Sequence, residues 1–252
     1  MSAHYDTYDY PSYWEGREYE HDSEVMAIKA FLDKIPKIKT ILEIGTGYGR
    51  LTSSYSFRAK KIILSDPSAK LLKIAREKNA LNPKIEYLHT SLENLPTKIR
   101  SSSIDLAIMV RVIHHIEDLN QALKIVSKLV RKGGYFILEF ANKRHVKATF
   151  KEFFKGNLTF PLDIFSKDIS SIKSKKKNAL PFINYHPDTI IQALKNSDFE
   201  VISKRSVSNI RSPRIKKLLP LTTLLSFEKI LQEPLSYLSF GPSIFILAKK
   251  RG

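Results

Sequence analysis

The 252-residue chain contains no cysteine. Disulfides, thiolate metal sites and a cysteine nucleophile are excluded, and the absence agrees with a reducing compartment, so a cytoplasmic location is expected. No apolar run approaches the ~20 residues that a bilayer-spanning helix needs. The first residues, Met1 to Glu24, are rich in tyrosine and acid and lack an apolar stretch, so no secretory signal is expected. No internal repeat is visible. Acidic residues are scarce, 25 Asp and Glu against 42 Lys and Arg, which leaves a net charge of +17. Such a field favours an anionic partner (nucleic acid, an anionic membrane surface or a phosphorylated substrate), or it serves solubility alone. The charge is uneven. The first 25 residues are acidic overall, and basic density peaks at Lys173–Lys177 and Arg205–Lys217.

What is present is a core's worth of apolar residues, 42% of the chain, arranged in alternating patterns. Glu24 to Ile35 shows helical spacing, and Pro36 closes it. Short apolar runs at Thr40–Ile44, Lys61–Ser65, Ile85–His89, Ile104–Val110 and Tyr135–Phe140 read as strands. Helical segments at Arg50–Phe57, Ala69–Asn79 and Asp118–Arg131 separate some of them. This alternation predicts βαβ units and a parallel sheet. After Phe140 the rhythm breaks, then resumes with a helix opening at His186-Pro187. Phe199–Val207 and Ser243–Lys249 read as two final strands antiparallel to each other. The expected fold is therefore α/β: a Rossmann-like, seven-stranded, mostly parallel sheet with helices on both faces and an antiparallel C-terminal strand. The lysine- and serine-rich stretch Ser170–Lys177 reads as a mobile loop.

The chemistry concentrates at Gly45-Thr46-Gly47-Tyr48-Gly49, which follows the first strand. A glycine-rich turn lets backbone approach a ligand. A dinucleotide fold uses a similar turn, but with G-x-G-x-x-G spacing. Here the third glycine comes one place early, and Arg50 takes the dinucleotide position. Glu43 lies within the apolar strand just before the turn. A buried carboxylate is costly unless paired, and this one would repel a pyrophosphate but suit a cationic, amine-bearing ligand.

Ile41–Gly49 resembles the first motif of the class I methyltransferases, specifically the methyltransferase-11 type. Asp66 stands about 20 residues past the first glycine, where an acid can hold ribose hydroxyls. Ser91-Leu92-Glu93-Asn94-Leu95-Pro96 resembles the family's adenine loop, Ile104–Ile116 its fourth strand with a His-His tail, and Gly133-Gly134-Tyr135-Phe136 the start of its fifth strand. The resemblance implies S-adenosylmethionine as cofactor and no metal. It places Gly45, Thr46, Gly47 and Tyr48 against the methionine part, with Glu43 ordering the turn or meeting the amino group. Asp66 and Pro67 fall at the ribose, Ser91, Leu92 and Glu93 at the adenine, and Val110 and Arg111 beside the sulfonium. A cation at Arg111 is awkward there unless it points at a carboxylate.

Residues 1–36 are expected to form an N-terminal lid and helix, with Tyr13, Trp14 and Arg17 closing the site and Arg17 a candidate for the cofactor carboxylate. Packing on the first helix accounts for them equally well. Residues 37–252 form the cofactor-binding domain, with insertions 141–185 and 209–241 as a substrate cap. His114, His115 and Arg111 are weak catalytic candidates. For the histidines, packing or helix capping comes ahead of general-base work, and His186 reads first as a helix-start residue. Methyl transfer to a small-molecule, lipid-linked or glycan-type acceptor is the leading expectation. The alternative is an RNA or protein methyltransferase docking through the basic insertions, with nucleic acid ranked behind the small molecule. The basic, apolar segment 209–241 either meets an anionic membrane peripherally or packs as a helical cap. The acceptor atom and the oligomeric state are not legible.

Overall fold

The apolar runs pair edge to edge. In the computed structural model, which describes residues 10–169 and 181–252, they form β1 (Thr40–Ile44), β2 (Lys61–Asp66), β3 (Ile85–His89), β4 (Ile104–Met109) and β5 (Val130–Ala141). A small antiparallel pair follows, β6 (Lys167–Asp168) with β7 (Ile183–Asn184), and then β8 (Phe199–Val207) and β9 (Ser243–Lys250). The main sheet has seven strands in the order β3-β2-β1-β4-β5-β9-β8. β9 runs antiparallel to both its neighbours, and the remaining neighbours are parallel. This is the Rossmann-like sheet expected. The stretch Ser170–Lys177 lies outside the described residues.

Helices cover both faces: α1 (Glu18–Leu32), α2 (Ala69–Lys78), α3 (Leu95–Lys98), α4 (Leu119–Leu129), α5 (Val146–Phe153), α6 (Pro187–Asn196), α7 (Pro213–Leu218), α8 (Leu221–Leu231) and α9 (Pro234–Tyr237). Alternation along each strand divides the core in two. Leu42, Ile44, Ala107, Met109, Phe136 and Leu138 face α4 and α6 through Leu123, Val126, Ile190 and Leu194. Ile41, Leu106, Ile108, Ile137, Phe245 and Leu247 face α1 through Ala27, Ile28, Phe31 and Leu32. The same alternation puts Glu43 and Glu139 on the α1 side. Helix starts are capped where the sequence offers a cap: Ser68 accepts from Leu71 N–H at 3.2 Å, and Asp118 accepts from Gln121 N–H at 2.9 Å.

Three local readings differ. The helix expected over Arg50–Phe57 is instead two 3₁₀ turns, Thr52–Ser54 and Ser56–Arg58. Tyr55 between them takes φ −134° and sends its hydroxyl inward to Glu43, which breaks the helical run. α1 begins at Glu18 rather than Glu24, because Tyr19 is drawn into the core by a distant partner. The helix expected over Asp118–Arg131 stops at Leu129, and residues 130–134 already belong to β5. Where the rhythm breaks after Phe140, the chain carries α5 and the β6–β7 pair, and Tyr185 bridges back to Asn142.

Register levels the carboxyl ends of the central strands. Ile44 stands opposite both Ser65 and Met109, and Asp66 opposite His89. The chain turns outward from β1 and β4 at the point where strand order reverses, the crevice where open α/β sheets bind ligands.

The segment 209–241 folds back onto α1. Glu228 on α8 is fully buried and accepts from Tyr19 OH (2.6 Å), Ser208 N–H (2.8 Å) and Asn209 N–H (3.1 Å). Gln232 donates to the Ser23 carbonyl at 2.9 Å. Because Tyr19 OH also accepts from Ile210 N–H at 3.0 Å, it ties helix to insertion at two points. Tyr19→Phe should therefore lower unfolding free energy by about 1.5–3 kcal/mol, the usual cost of a lost bond to a charged group, read from the urea midpoint.

Candidate cofactor site

The turn after β1 is held from below. Gly45 N–H and Thr46 N–H both donate to the Ser65 carbonyl, at 2.8 and 3.0 Å. Glu43 is buried at its base and accepts from Thr46 Oγ1 and Tyr55 OH, each at 2.5 Å. Burial pushes the Glu43 carboxyl up to about 6, against the two hydrogen bonds that favour its charge. Asp66, at the end of β2, accepts from Gly47 N–H through Oδ2 (2.7 Å) and from Ser68 N–H through Oδ1 (2.8 Å). The two carboxylates therefore bracket one turn. Gly45 and Gly47 both take left-handed backbone, φ +71° and +55°. A Cβ on Gly45 would overlap Val112, and one on Gly47 would sit 3.5 Å from the Tyr10 ring.

These residues fit S-adenosylmethionine better than a diphosphate. Gly45 and Gly47 carry no side chain of their own, so an extended ligand can approach backbone there once Tyr10 gives way. The Gly47 N–H, which would face a phosphate in a dinucleotide site, faces a carboxylate instead. Each carboxylate oxygen carries two lone pairs, so Asp66 has the capacity to accept a ribose hydroxyl besides each backbone bond.

A second charged group lies beside the turn, and sequence reading missed most of it. Glu24 on α1 is fully buried and pairs with Arg50 at 2.5 Å and with Arg111 at 2.6 Å. Burial opposes its charge, but Arg111 and Arg50 outweigh that and hold its pKa below the ordinary carboxylate value. Arg111 N–H donates to Glu139 Oε2 at 2.7 Å, and Ser243 donates to Glu139 Oε1 at 2.5 Å. Arg111 sits at φ +60°, an unusual backbone for arginine that these contacts hold in place. Its guanidinium points at the Glu24 carboxylate. Burial works against its charge, but Glu24 and then Glu139 keep its pKa above the ordinary value.

The aromatic N-terminal segment packs over this group. Trp14 is buried, with the guanidinium carbons of Arg50 and Arg111 at 3.5 and 4.7 Å from its ring centroid. Tyr10 covers Gly47, meets Tyr48 edge-on at 5.9 Å between centroids and stacks beside Tyr13 at 6.1 Å. Arg17 is exposed and lies 4.1 Å over the outer Tyr13 ring. Tyr10, rather than Arg17, is the residue brought to the turn.

The other named residues are spread around the same edge. Leu92 and Val110 are buried, Ser91 is half-buried, and Pro67 and Glu93 are exposed. The Pro67 carbonyl meets His89 Nε2 at 2.9 Å. His114 is buried against His115 and Phe182, with ring centroids at 4.2 and 4.4 Å, and its Nδ1 has no hydrogen-bond partner among the described residues. Burial, then His115 and Arg111, lower its pKa well below the ordinary value, so the ring is neutral. His115 Nδ1 meets the Pro181 carbonyl at 2.7 Å. His186 caps α6, its Nδ1 accepting from Asp188 N–H at 3.2 Å. Among the described residues, no group of three His, Asp or Glu is placed to hold a metal ion.

Sheet order and the turn after β1 are those of the Rossmann-like methyltransferase architecture. A family model described as a methyltransferase domain matches residues 42–138. The ubiquinone/menaquinone biosynthesis C-methyltransferase of Campylobacter jejuni is 27% identical over 187 residues, 67% of this chain and 73% of that protein. The tRNA 5-carboxymethoxyuridine methyltransferase of Escherichia coli O157:H7 is 22% identical, covering 68% of this chain and 64% of that protein. This chain spans less than half the length of several other curated relatives that it matches. Among solved structures, a putative methyltransferase of Haloferax volcanii, in complex with a methyltransferase activator, superposes with TM-score 0.65 at 13% identity over the full length of both chains. Residues 42–138 thus resemble a methyltransferase domain, and the chain as a whole has the fold of these solved methyltransferase structures.

Two outcomes follow from the buried charges. Glu43 takes up a proton more readily folded than unfolded, so it removes stability as pH rises from its ordinary 4.5 to about 6. Glu43→Gln should flatten that fall by about 2 kcal/mol, measured as the difference between variant and parent in urea titrations across this window. Glu24→Gln takes the shared carboxylate from buried Arg50 and leaves Arg111 with Glu139 alone. It should cost roughly 3–5 kcal/mol, read as a drop in Tm at neutral pH.

Proposed function

We propose that this chain moves the methyl group of S-adenosylmethionine to a small-molecule, lipid-linked or glycan-type acceptor, with the cofactor seated on the turn after β1. The observation carrying this reading is that Glu43 and Asp66 converge on a single turn in which Gly45 and Gly47 carry no side chain of their own. When bound, the cofactor supplies an electrophilic methyl group on a positively charged sulfur. The chain binds, orients and excludes water. Gly45, Thr46 and Gly47 present backbone to the methionine part, while Asp66 and Pro67 take the ribose side. Ser91, Leu92 and Glu93 border the adenine. Val110 lies next to the sulfur, and Arg111, neutralised by Glu24 and Glu139, does not repel it. Tyr10, Tyr13 and Tyr48 cover the turn. Residues 1–36 act as lid and helix, and insertions 141–185 and 209–241 cap the acceptor.

The acceptor class is supported by the apolar character of the insertions and by likeness to the C-methyltransferase of ubiquinone and menaquinone biosynthesis. The net charge of +17 and the tRNA-modifying relative favour the second reading, an RNA acceptor docked on basic surface. Salt separates the two. Activity on an RNA acceptor should fall steeply between low and physiological salt, whereas activity on a small acceptor should change little.

Calorimetry tests the cofactor directly. S-adenosylmethionine and S-adenosylhomocysteine should bind, NAD should not, and Asp66→Ala should weaken binding about tenfold or more, about 1.4 kcal/mol. Binding of NAD without S-adenosylmethionine would overturn the reading. Methyl-labelling of a cell extract would then identify the acceptor.

A further inference from the structure

Helix α5 has an amphipathic sequence, Val-Lys-Ala-Thr-Phe-Lys-Glu-Phe, yet none of its side chains is buried. Phe150, Phe153 and the following Phe154 stand out from the domain and touch one another, with centroids 6.5 Å apart for Phe150–Phe154 and 5.8 Å for Phe153–Phe154. The chain beyond continues the pattern. Phe154 is 82% exposed, and Leu162 and Phe165 are each 78% exposed, with Leu158 and Ile164 between them also open. An apolar patch of this kind on a folded domain marks a surface that something else covers.

The patch is held in shape from beneath. Lys143 is buried, and its Nζ donates to the carbonyls of Asp163 (2.8 Å) and Phe165 (2.7 Å) while pairing with the Asp163 carboxylate at 2.6 Å. Thr189 on α6 donates to the Ile164 carbonyl at 2.7 Å, and Phe160 is buried as an anchor. The outward side chains are therefore presented by a fixed backbone.

Charge says what covers it. Lys147 and Lys151 lie four residues apart, so they form a stripe along α5 directly beside Phe150 and Phe154. Lys155 and Lys167 are also exposed at the border. A second copy of the chain would bring this same positive rim against itself. An RNA would satisfy the lysines but leave Leu158, Leu162 and Ile164 nothing apolar to enter. An anionic bilayer surface satisfies both, with aromatic and aliphatic side chains at the acyl boundary and lysines at the headgroups. We propose that α5 and the segment from Phe154 to Phe165 form a docking surface for an anionic lipid membrane. Of the two insertions, this first one makes the contact. The second is seated on the domain by Leu224 and Glu228, although Leu218, Phe227 and Ile230 stay exposed on it. The inference deepens the lipid-linked reading of the acceptor and rests on that reading only for its biological purpose.

Co-sedimentation of the full chain with vesicles tests it. Vesicles of phosphatidylcholine with about one-third phosphatidylglycerol should bind the protein at least tenfold more tightly than phosphatidylcholine alone. The double variant Phe153→Ser/Phe154→Ser should lose about tenfold in partition. The double variant Lys147→Gln/Lys151→Gln should lose several-fold and show a weaker salt dependence. Leu218→Ser/Ile230→Ser, on the second insertion, should behave as the parent does. Calorimetric affinity for S-adenosylmethionine should be unchanged in all three, which separates lost docking from lost folding and from failure of the methyltransferase reading. The proposal is overturned if the parent does not bind anionic vesicles, or if the phenylalanine pair leaves binding intact. It is equally overturned if light scattering shows a dimer that this pair converts to monomer.

Discussion

Glu24 ties together more of this molecule than any motif residue does. It projects from α1 and takes one arginine from the turn after β1 and another from the loop after β4, so three elements distant in sequence meet at one buried carboxylate. A single buried carboxylate is prohibitively desolvated. Two guanidiniums reverse that and in turn need more acid, which Glu139 provides through the Arg111 backbone and Ser243 completes from β9. The group is close to neutral only as a set. Removing any one charge leaves the rest exposed to the cost of burial, so α1, both ligand-edge loops and the β5–β9 pair are constrained together.

The ligand turn inherits its shape from this arrangement. Arg50 follows Gly49 directly, so its pull toward Glu24 and His21 fixes where the chain goes after the glycines. Trp14 rests against both arginines, which gives the aromatic N-terminal segment a place to dock and brings Tyr10 over Gly47. The acids at the strand ends act first on the protein. Glu43 orders Thr46, and Asp66 orders Gly47, so the turn is set before any ligand arrives. That is preorganisation, and it lets binding energy go into orientation rather than into ordering the loop.

How much of this the sequence disclosed depends on the range of the interaction. Strands were legible because runs such as Ile104–Met109 are apolar at all positions but Asp105, a pattern that a strand buried on both faces tolerates. The glycine turn and Asp66 were legible because spacing along one βαβ unit is local. The break at Tyr55 was not, since it depends on Glu43 across the turn. Nor was the role of Tyr10, whose partner is Gly47. Glu139 did leave a signal. It is a lone carboxylate inside an apolar run, and Arg111 is a lone cation at the end of another, so the two could have been read as partners. Glu24 left none, because Glu18, Glu20 and Asp22 precede it in the same helix.

The insertions show the limit most clearly. Both 141–185 and 209–241 carry apolar residues at helical spacing among lysines, and periodicity alone treats them alike. The second seats itself on the domain with Leu224 inside and Glu228 bonded to Tyr19, while Leu218, Phe227 and Ile230 stay exposed. The first leaves α5 with no buried residue while fastening its backbone through Lys143. An amphipathic helix predicts only that its apolar face will be covered. Whether the cover is the domain itself or something outside it is decided by tertiary contacts, which the pattern does not encode. This also locates the meaning of the basic charge. At the ligand edge, arginines are matched by buried acids, so the surplus is displaced outward onto surfaces such as the lysine stripe of α5. There it can act on a partner instead of on the cofactor.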